Sequence, residues 1–221
     1  MTEPAQEWFD AIRKGELPVV ERLLAADPAL LMARDANGIS SVLWSCYVRQ
    51  PAIRDRLLTA GPELDLFEAV AAGADATALA LLAADATRAL DWASDGFTPL
   101  HLAAFFSRTI MAARLLELGA DPGAPARNPT RVAPLHSAAA AGATEIARML
   151  LERGADPDAR QAQGFTALIA AAQLGNDALA ELLLAHGAQA DARCDDGRAA
   201  ADFAQEKSHH ALADRLRHAG G

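Results

Sequence analysis

The side chains able to carry a proton, attack a substrate or hold a metal are few and scattered. His101 and His136 each follow a Pro-Leu dipeptide, and a histidine repeated in one context is a candidate general base. His210 and Asp214 stand four residues apart, so on a helix they share a face and are able to touch one metal ion, with His209 and His218 nearby. Two ligands fall short of a site, and a solvated helix face accounts for these residues. Cys46 and Cys194 lie in different segments with no Cys-x-x-Cys spacing, which points to reduced, packed thiols rather than a disulfide framework or zinc. Ser40, Ser41 and Ser45 have no histidine or acid at a suggestive spacing. No Gly-rich phosphate loop, Gly-x-Ser-x-Gly or His-Glu-x-x-His occurs. The carboxylates fall at turns and helix ends, where capping or solvation explains them. The expectation is a protein that is not an enzyme, with no cofactor and no metal. An enzyme or metal-binding protein with a fold-assembled site is the lesser alternative.

The net charge of −9 over 221 residues, with no long run of arginines, excludes the basic footprint that phosphates require. Nucleic acid is therefore not an expected partner. Hydrophobic residues make up 52% and charged residues 22%, which places the chain among folded proteins. The opening Met1-Thr2-Glu3-Pro4-Ala5-Gln6-Glu7 has no apolar core and does not read as a signal peptide. No apolar run is long enough to span a bilayer. A cytoplasmic location, no membrane and a monomer are expected, with self-association as a further possibility.

What positions any site here is a repeat. Asp95-Gly96-Phe97-Thr98-Pro99-Leu100-His101-Leu102-Ala103-Ala104 precedes Arg114-Leu115-Leu116-Glu117-Leu118-Gly119-Ala120-Asp121. Ala133-Pro134-Leu135-His136-Ser137-Ala138-Ala139 precedes Met149-Leu150-Leu151-Glu152-Arg153-Gly154-Ala155-Asp156. With Leu100 as phase marker, the equivalents are Trp8, Val42, Leu66, Leu135, Leu168 and Ala201, and the seven are spaced 34, 24, 34, 35, 33 and 33 residues apart. Seven residues after each marker stands Gly15, Arg49, Gly73, Ser107, Gly142, Gly175 or Ser208, a small residue in six cases, as a tight turn between two helices demands. Thr98 caps a helix opened by Pro99, and Gly119 ends the following one. Asn37-Gly38, Asp95-Gly96 and Asp196-Gly197 mark hairpin tips.

Thr98-Pro99-Leu100-His101, followed by Gly119-Ala120-Asp121, resembles the ankyrin repeat, and the resemblance covers nearly the whole chain. It implies an all-α solenoid of about seven helix-turn-helix repeats including polar end caps. Their boundaries fall near 1–34, 35–61, 62–92, 93–124, 125–160, 161–193 and 194–221, in a single domain over 1–221. It also implies that His101 and His136 make structural hydrogen bonds between neighbouring repeats. Thr98 suits that arrangement for His101, whereas Ala133 brings no hydroxyl to His136.

Residues 7–61 shifted by 58 fall on 65–119 without a gap. Phe9 meets Phe67, Gly38 meets Gly96, and Leu23-Leu24-Ala25-Ala26-Asp27 meets Leu81-Leu82-Ala83-Ala84-Asp85. A two-repeat block is duplicated, and three repeats follow. The short spacing arises because Pro62-Glu63-Leu64-Asp65 replaces a whole hairpin, so one hairpin is expected to be missing near residues 59–65. Charged residues such as Glu7, Arg13 and Arg22 in the first repeat, and Lys207, Asp214 and Arg215 in the last, give each end one polar face, as terminal repeats need. The chain is accordingly expected to be complete.

In the ankyrin family the binding surface is concave, built from hairpin tips and the outer side of the first helices. Those positions fall here on Ile39, Tyr47, Val48, Phe97, Phe105, Phe106, Phe165 and Leu174, with Ala140, Ala141 and Gln173 between them. The resemblance thus implies a non-catalytic module that binds a partner protein or peptide on an apolar, aromatic groove. Packing against neighbouring fingers or helices is the competing account of the same side chains. The fifth finger is lengthened by Pro125–Arg131, a semi-rigid basic tip on an acidic protein.

Overall fold

The computed structural model describes residues 3–220; Met1, Thr2 and Gly221 lie outside the described residues. Among the described residues the fold is all-α: fourteen α-helices form seven pairs, and the only β-structure is two isolated bridges. The first helices are α1 (Glu3–Lys14), α3 (Ser41–Tyr47), α5 (Leu66–Ala72), α7 (Pro99–Phe105), α9 (Pro134–Ala141), α11 (Ala167–Leu174) and α13 (Ala200–Glu206). Their partners are α2 (Leu17–Ala26), α4 (Pro51–Thr59), α6 (Asp75–Ala84), α8 (Thr109–Glu117), α10 (Thr144–Glu152), α12 (Asp177–Ala185) and α14 (His210–Ala219).

Every pair turns in the same way. Gly15, Arg49, Gly73, Ser107, Gly142, Gly175 and Ser208 all have positive φ, between 54° and 79°. In each turn the next backbone N–H reaches the carbonyl five residues back, as in Arg108 to Ala103 at 2.7 Å and Ala143 to Ala138 at 2.9 Å. A left-handed residue closes the last turn of the first helix and aims the chain into the second. Arg49 holds that conformation despite its Cβ.

The first helices begin with caps that their sequences supply. Ser40, Asp65, Thr98 and Thr166 accept from the backbone N–H three residues on. Ala133 and Ala199 have no such oxygen; there His136 and Asp202 reach back to accept the N–H of Ala133 and Ala199, at 3.1 and 2.9 Å. Half of a capping box survives the loss of the other half.

The chain forms two compact units. One comprises residues 1–88 and 92–95, the other 89–91 and 96–221. In the first unit α1, α3 and α5 pack in a row, with α2 and α4 behind. Trp8 is fully buried and its indole N–H donates to Ser41 Oγ at 2.7 Å, fastening the first repeat to the second. In the second unit α7, α9, α11 and α13 form the row, with contacts among α8, α10 and α12 behind it. Ala103, Ala104, Ala138, Ala139, Ala171 and Ala172 are buried there, so small side chains let the helices approach closely. Leu100, Leu115, Leu135, Ile146 and Leu150 fill the remaining space, each burial contributing roughly 1.5–3 kcal/mol.

The hairpin expected to be absent is absent: residues 61–65 run without regular structure from α4 into α5. Arg34 reaches from the second finger to Asp65 and Glu68, at 3.2 and 3.1 Å, and holds the shortcut. The second and fourth fingers become neighbours, and Gly38 has Ser94 where a side chain would project. Two elements were not anticipated. Pro28–Met32 and Ala86–Leu90 are 3-10 helices at corresponding places in the duplicated blocks. Asp27 and Asp85 open them by accepting the N–H two residues on, both at 3.0 Å. Among the described residues no helix is long and apolar enough to cross a membrane.

Candidate protein-binding surface

The residues with catalytic potential are engaged in holding the fold. His101 Nδ1 takes the N–H of Thr98 at 3.2 Å, lies 2.8 Å from its hydroxyl, and its Nε2 meets the Val132 carbonyl of the next finger at 2.9 Å. His136 repeats this one unit later, where Nε2 meets the carbonyls of Ala159 and Phe165 at 2.9 and 3.2 Å. The backbone of Ala133 does for His136 what the Thr98 hydroxyl and backbone do together for His101. Burial holds the His136 ring below its ordinary pKa of 6.5, against the opposing pull of its hydrogen bonds to Ala159, Phe165 and Ala133. Both histidines therefore tie each repeat to the next.

Ser40 is a helix cap, Ser41 receives Trp8, and Ser45 donates to the Val42 carbonyl at 2.6 Å. Cys46 and Cys194 are buried thiols outside any disulfide, and the Cys194 thiol donates to Asp196 at 2.9 Å. His210 takes a hydrogen bond from the Gln205 amide at 2.9 Å, while Asp214 pairs with Arg217. Among the described residues no group of three or more His, Cys, Asp or Glu is gathered closely enough to hold a metal ion.

The residues expected on the binding face divide between the two units. In the first, Ile39 is only 8% exposed, where Asp35 closes the finger onto it. The Asp35 N–H donates to the Ile39 carbonyl at 2.9 Å, and the Ile39 N–H donates to the Asp35 carboxylate at 3.0 Å. That carboxylate also takes the Trp44 indole N–H at 2.9 Å and the Asn37 N–H at 2.8 Å. Burial raises its pKa, but these bonds, with Arg13 nearby, outweigh that effect and hold it below 3.8. Tyr47 is half-buried, edge-on to Trp44 at 6.4 Å, and its hydroxyl donates to Asp95 at 2.6 Å. Val48, also half-buried, is the C-cap of α3.

In the second unit the expected rings are half-buried, as Tyr47 and Val48 are in the first. Phe105 and Phe106 meet edge to face, centroids 5.1 Å apart. Phe97 leans on His101 at 5.6 Å. Phe165 leans on the buried Phe203 of the last repeat at 5.3 Å, and the Arg198 guanidinium lies over the Phe203 ring at 4.1 Å. Packing and exposure thus share these rings. Leu174 is 50% exposed.

One recess unites several of these positions. It has a volume of about 200 Å³ and lies between the fifth and sixth repeats, lined by His136, Ala140, Gln161, Phe165, Thr166, Ala170, Gln173 and Leu174. Phe165 and Leu174 are among the residues expected on the binding face. His136 joins them because the ring that ties the repeats also forms the recess wall. The sequence marks His136 as structural and gives no sign of this second place.

The family model described as ankyrin repeats (3 copies) matches residues 66–161 and 135–220. No curated protein matches the chain closely enough to count as a relative. The matched segments together span well over half of the sequence, and they coincide with helix pairs linked by the His101 and His136 bonds. With its left-handed turns, its fingers and its rows of first helices, the chain belongs to the ankyrin-repeat family.

Proposed function

We propose that the chain is a non-catalytic module that binds a partner protein or peptide on the finger side of its first helices, centred in the second unit. Ankyrin repeats are in general protein–protein interaction modules, typically without catalytic activity. The observation that carries the proposal is the recess of about 200 Å³, where Phe165, Leu174, Ala140 and Ala170 stand among four uncharged polar residues, together with the half-buried Phe105 and Phe106. Pockets for whole small-molecule ligands commonly measure about 300–1,000 Å³. The recess suits a side chain of a longer ligand better than a free substrate. Half-buried aromatics at the end of α7 are the residue type that anchors interfaces. A monomeric, cytoplasmic protein that uses neither nucleic acid nor membrane is part of the same proposal.

The test is affinity capture from the native source with the intact chain and with Phe105→Ser/Phe106→Ser, alongside circular dichroism. We expect the double variant to keep its helicity and most of its melting temperature while losing the captured protein. Unchanged capture, or a collapse of the fold, would overturn the assignment of those rings to the interface. Size measurement at several concentrations distinguishes self-association through the same surface.

A further inference from the structure

We infer that the recess between the fifth and sixth repeats receives one bulky apolar side chain of a peptide whose neighbouring residues are acidic. This rests on the proposed function and specifies the partner's chemistry at that site. A dry cavity of about 150 Å³ is enough to admit benzene, so a recess of about 200 Å³ has room for a Leu, Ile, Met or Phe side chain and little more. The floor carries no net charge. None of the eight lining residues is a carboxylate or a fixed cation, and α7, α9 and α11 contain no Asp, Glu, Lys or Arg at all.

The charge stands outside the recess, where Asp195, bonded to Gln163, is balanced by Arg160 and Arg131 is left over. The lengthened fifth finger brings the exposed Arg131 near the recess, while Arg127 lies on its other flank, its N–H donating to the Gly96 carbonyl of the fourth finger at 2.9 Å. The Ala162 N–H donates to the Thr130 carbonyl at 2.8 Å, which seats the finger against the segment leading from Gln161 to Phe165, and both of those residues line the recess. Arg131 follows Thr130 directly, with φ of 51°, and enters no ion pair among the described residues. Arg160, on the adjoining finger, is held by Asp195 at 3.2 Å and by the Arg193 carbonyl at 2.8 Å. An uncharged recess in which Ala140, Phe165, Ala170 and Leu174 supply the apolar half of the lining, with an unpaired arginine nearby, selects apolar residues flanked by Asp or Glu.

The experiment pans a library of short random phage-displayed peptides against the full chain, then measures synthetic copies of the winners by fluorescence polarisation. We expect enriched sequences that place Leu, Ile, Met or Phe beside two or more acidic residues. Their binding should be lost in Leu174→Gln and in Ala140→Gln, should fall about fivefold in Arg131→Glu, and should weaken as salt is raised. Both recess variants alter side chains at exposed helix positions, and melting curves identify any that fails to fold. Winners that are neutral or basic yet still require Leu174 and Ala140 would overturn the acidic preference and leave the binding face standing. No enrichment, or winners indifferent to both recess variants, would overturn the binding face as well.

Discussion

The Tyr47 hydroxyl donates to the Asp95 carboxylate at 2.6 Å, joining residues 48 apart in sequence. The bond runs from the first helix of the second repeat to the finger of the fourth. It is possible because the third repeat has no finger of its own to lie between them. Tyr47 is also the sole tyrosine of the chain, which makes it directly observable.

Burial, and then the Asp95 carboxylate, push the Tyr47 pKa far above its ordinary value of 10. Tyrosinate absorbance near 295 nm should therefore fail to rise through pH 10 and should appear only together with loss of helical circular dichroism. Tyr47→Phe should lower stability by about 1.5–3 kcal/mol in urea unfolding, as expected for a hydrogen bond to a charged acceptor. A tyrosinate transition centred near 10 in folded protein would show that the bond does not form in solution.

Arg49 occupies, at φ of 54°, a position where Gly or Ser stands in the other six repeats. A left-handed conformation costs a residue with a Cβ roughly 1–2 kcal/mol. Arg49→Gly should raise the urea midpoint by about 1 kcal/mol in stability. The expectation fails if the variant is less stable than the parent.

Glu68 is buried where the missing finger lets the chain turn directly into α5. It accepts the Asp65 N–H at 2.8 Å and the Arg34 guanidinium at 3.1 Å. Glu68→Ala removes both acceptors and should cost about 1–3 kcal/mol, while Glu68→Gln, able to serve the N–H, should recover part of that loss. Equal losses in the two variants would place the whole effect in the Arg34 pair.

His136 has a lowered pKa in the native protein, so the unfolded chain binds more protons between that value and 6.5. Its contribution to stability is complete above pH 6.5 and is lost as pH falls below it toward the native pKa. Chemical unfolding between about pH 7 and pH 5 should show stability falling with acidity, and His136→Gln should flatten that slope. Asp35 adds a separate loss beginning only below its ordinary value of 3.8, because its native pKa is lowered too. An unchanged slope in His136→Gln would mean that the ring titrates alike in both states.

The phase of the repeats, the left-handed turns and the absent third finger follow from spacing and from residues that local geometry requires, and the role of His101 from the resemblance to the ankyrin repeat. The two 3-10 helices were encoded by Asp27-Pro28 and by Asp85 with Thr87, but a single turn carries too few apolar positions to show a period. Ile39 and Phe165 occupy the same place in their fingers and were expected to behave alike. The difference lies in their neighbours: Asp35 folds one finger onto Ile39, while Phe165 rests on Phe203 in the following repeat. The recess escaped notice because its residues, from Ala140 to Leu174, come from two repeats and only packing brings them together.

The shortcut through Pro62–Asp65 bears on how such a surface is edited. One helix pair was kept while its projecting loop was discarded, and a cap plus an arginine sufficed to seal the gap. Scaffold and projection are thus separately adjustable: the number of helices fixes the length of the platform, and trimming or extending individual loops alters what rises from it without disturbing the foundations.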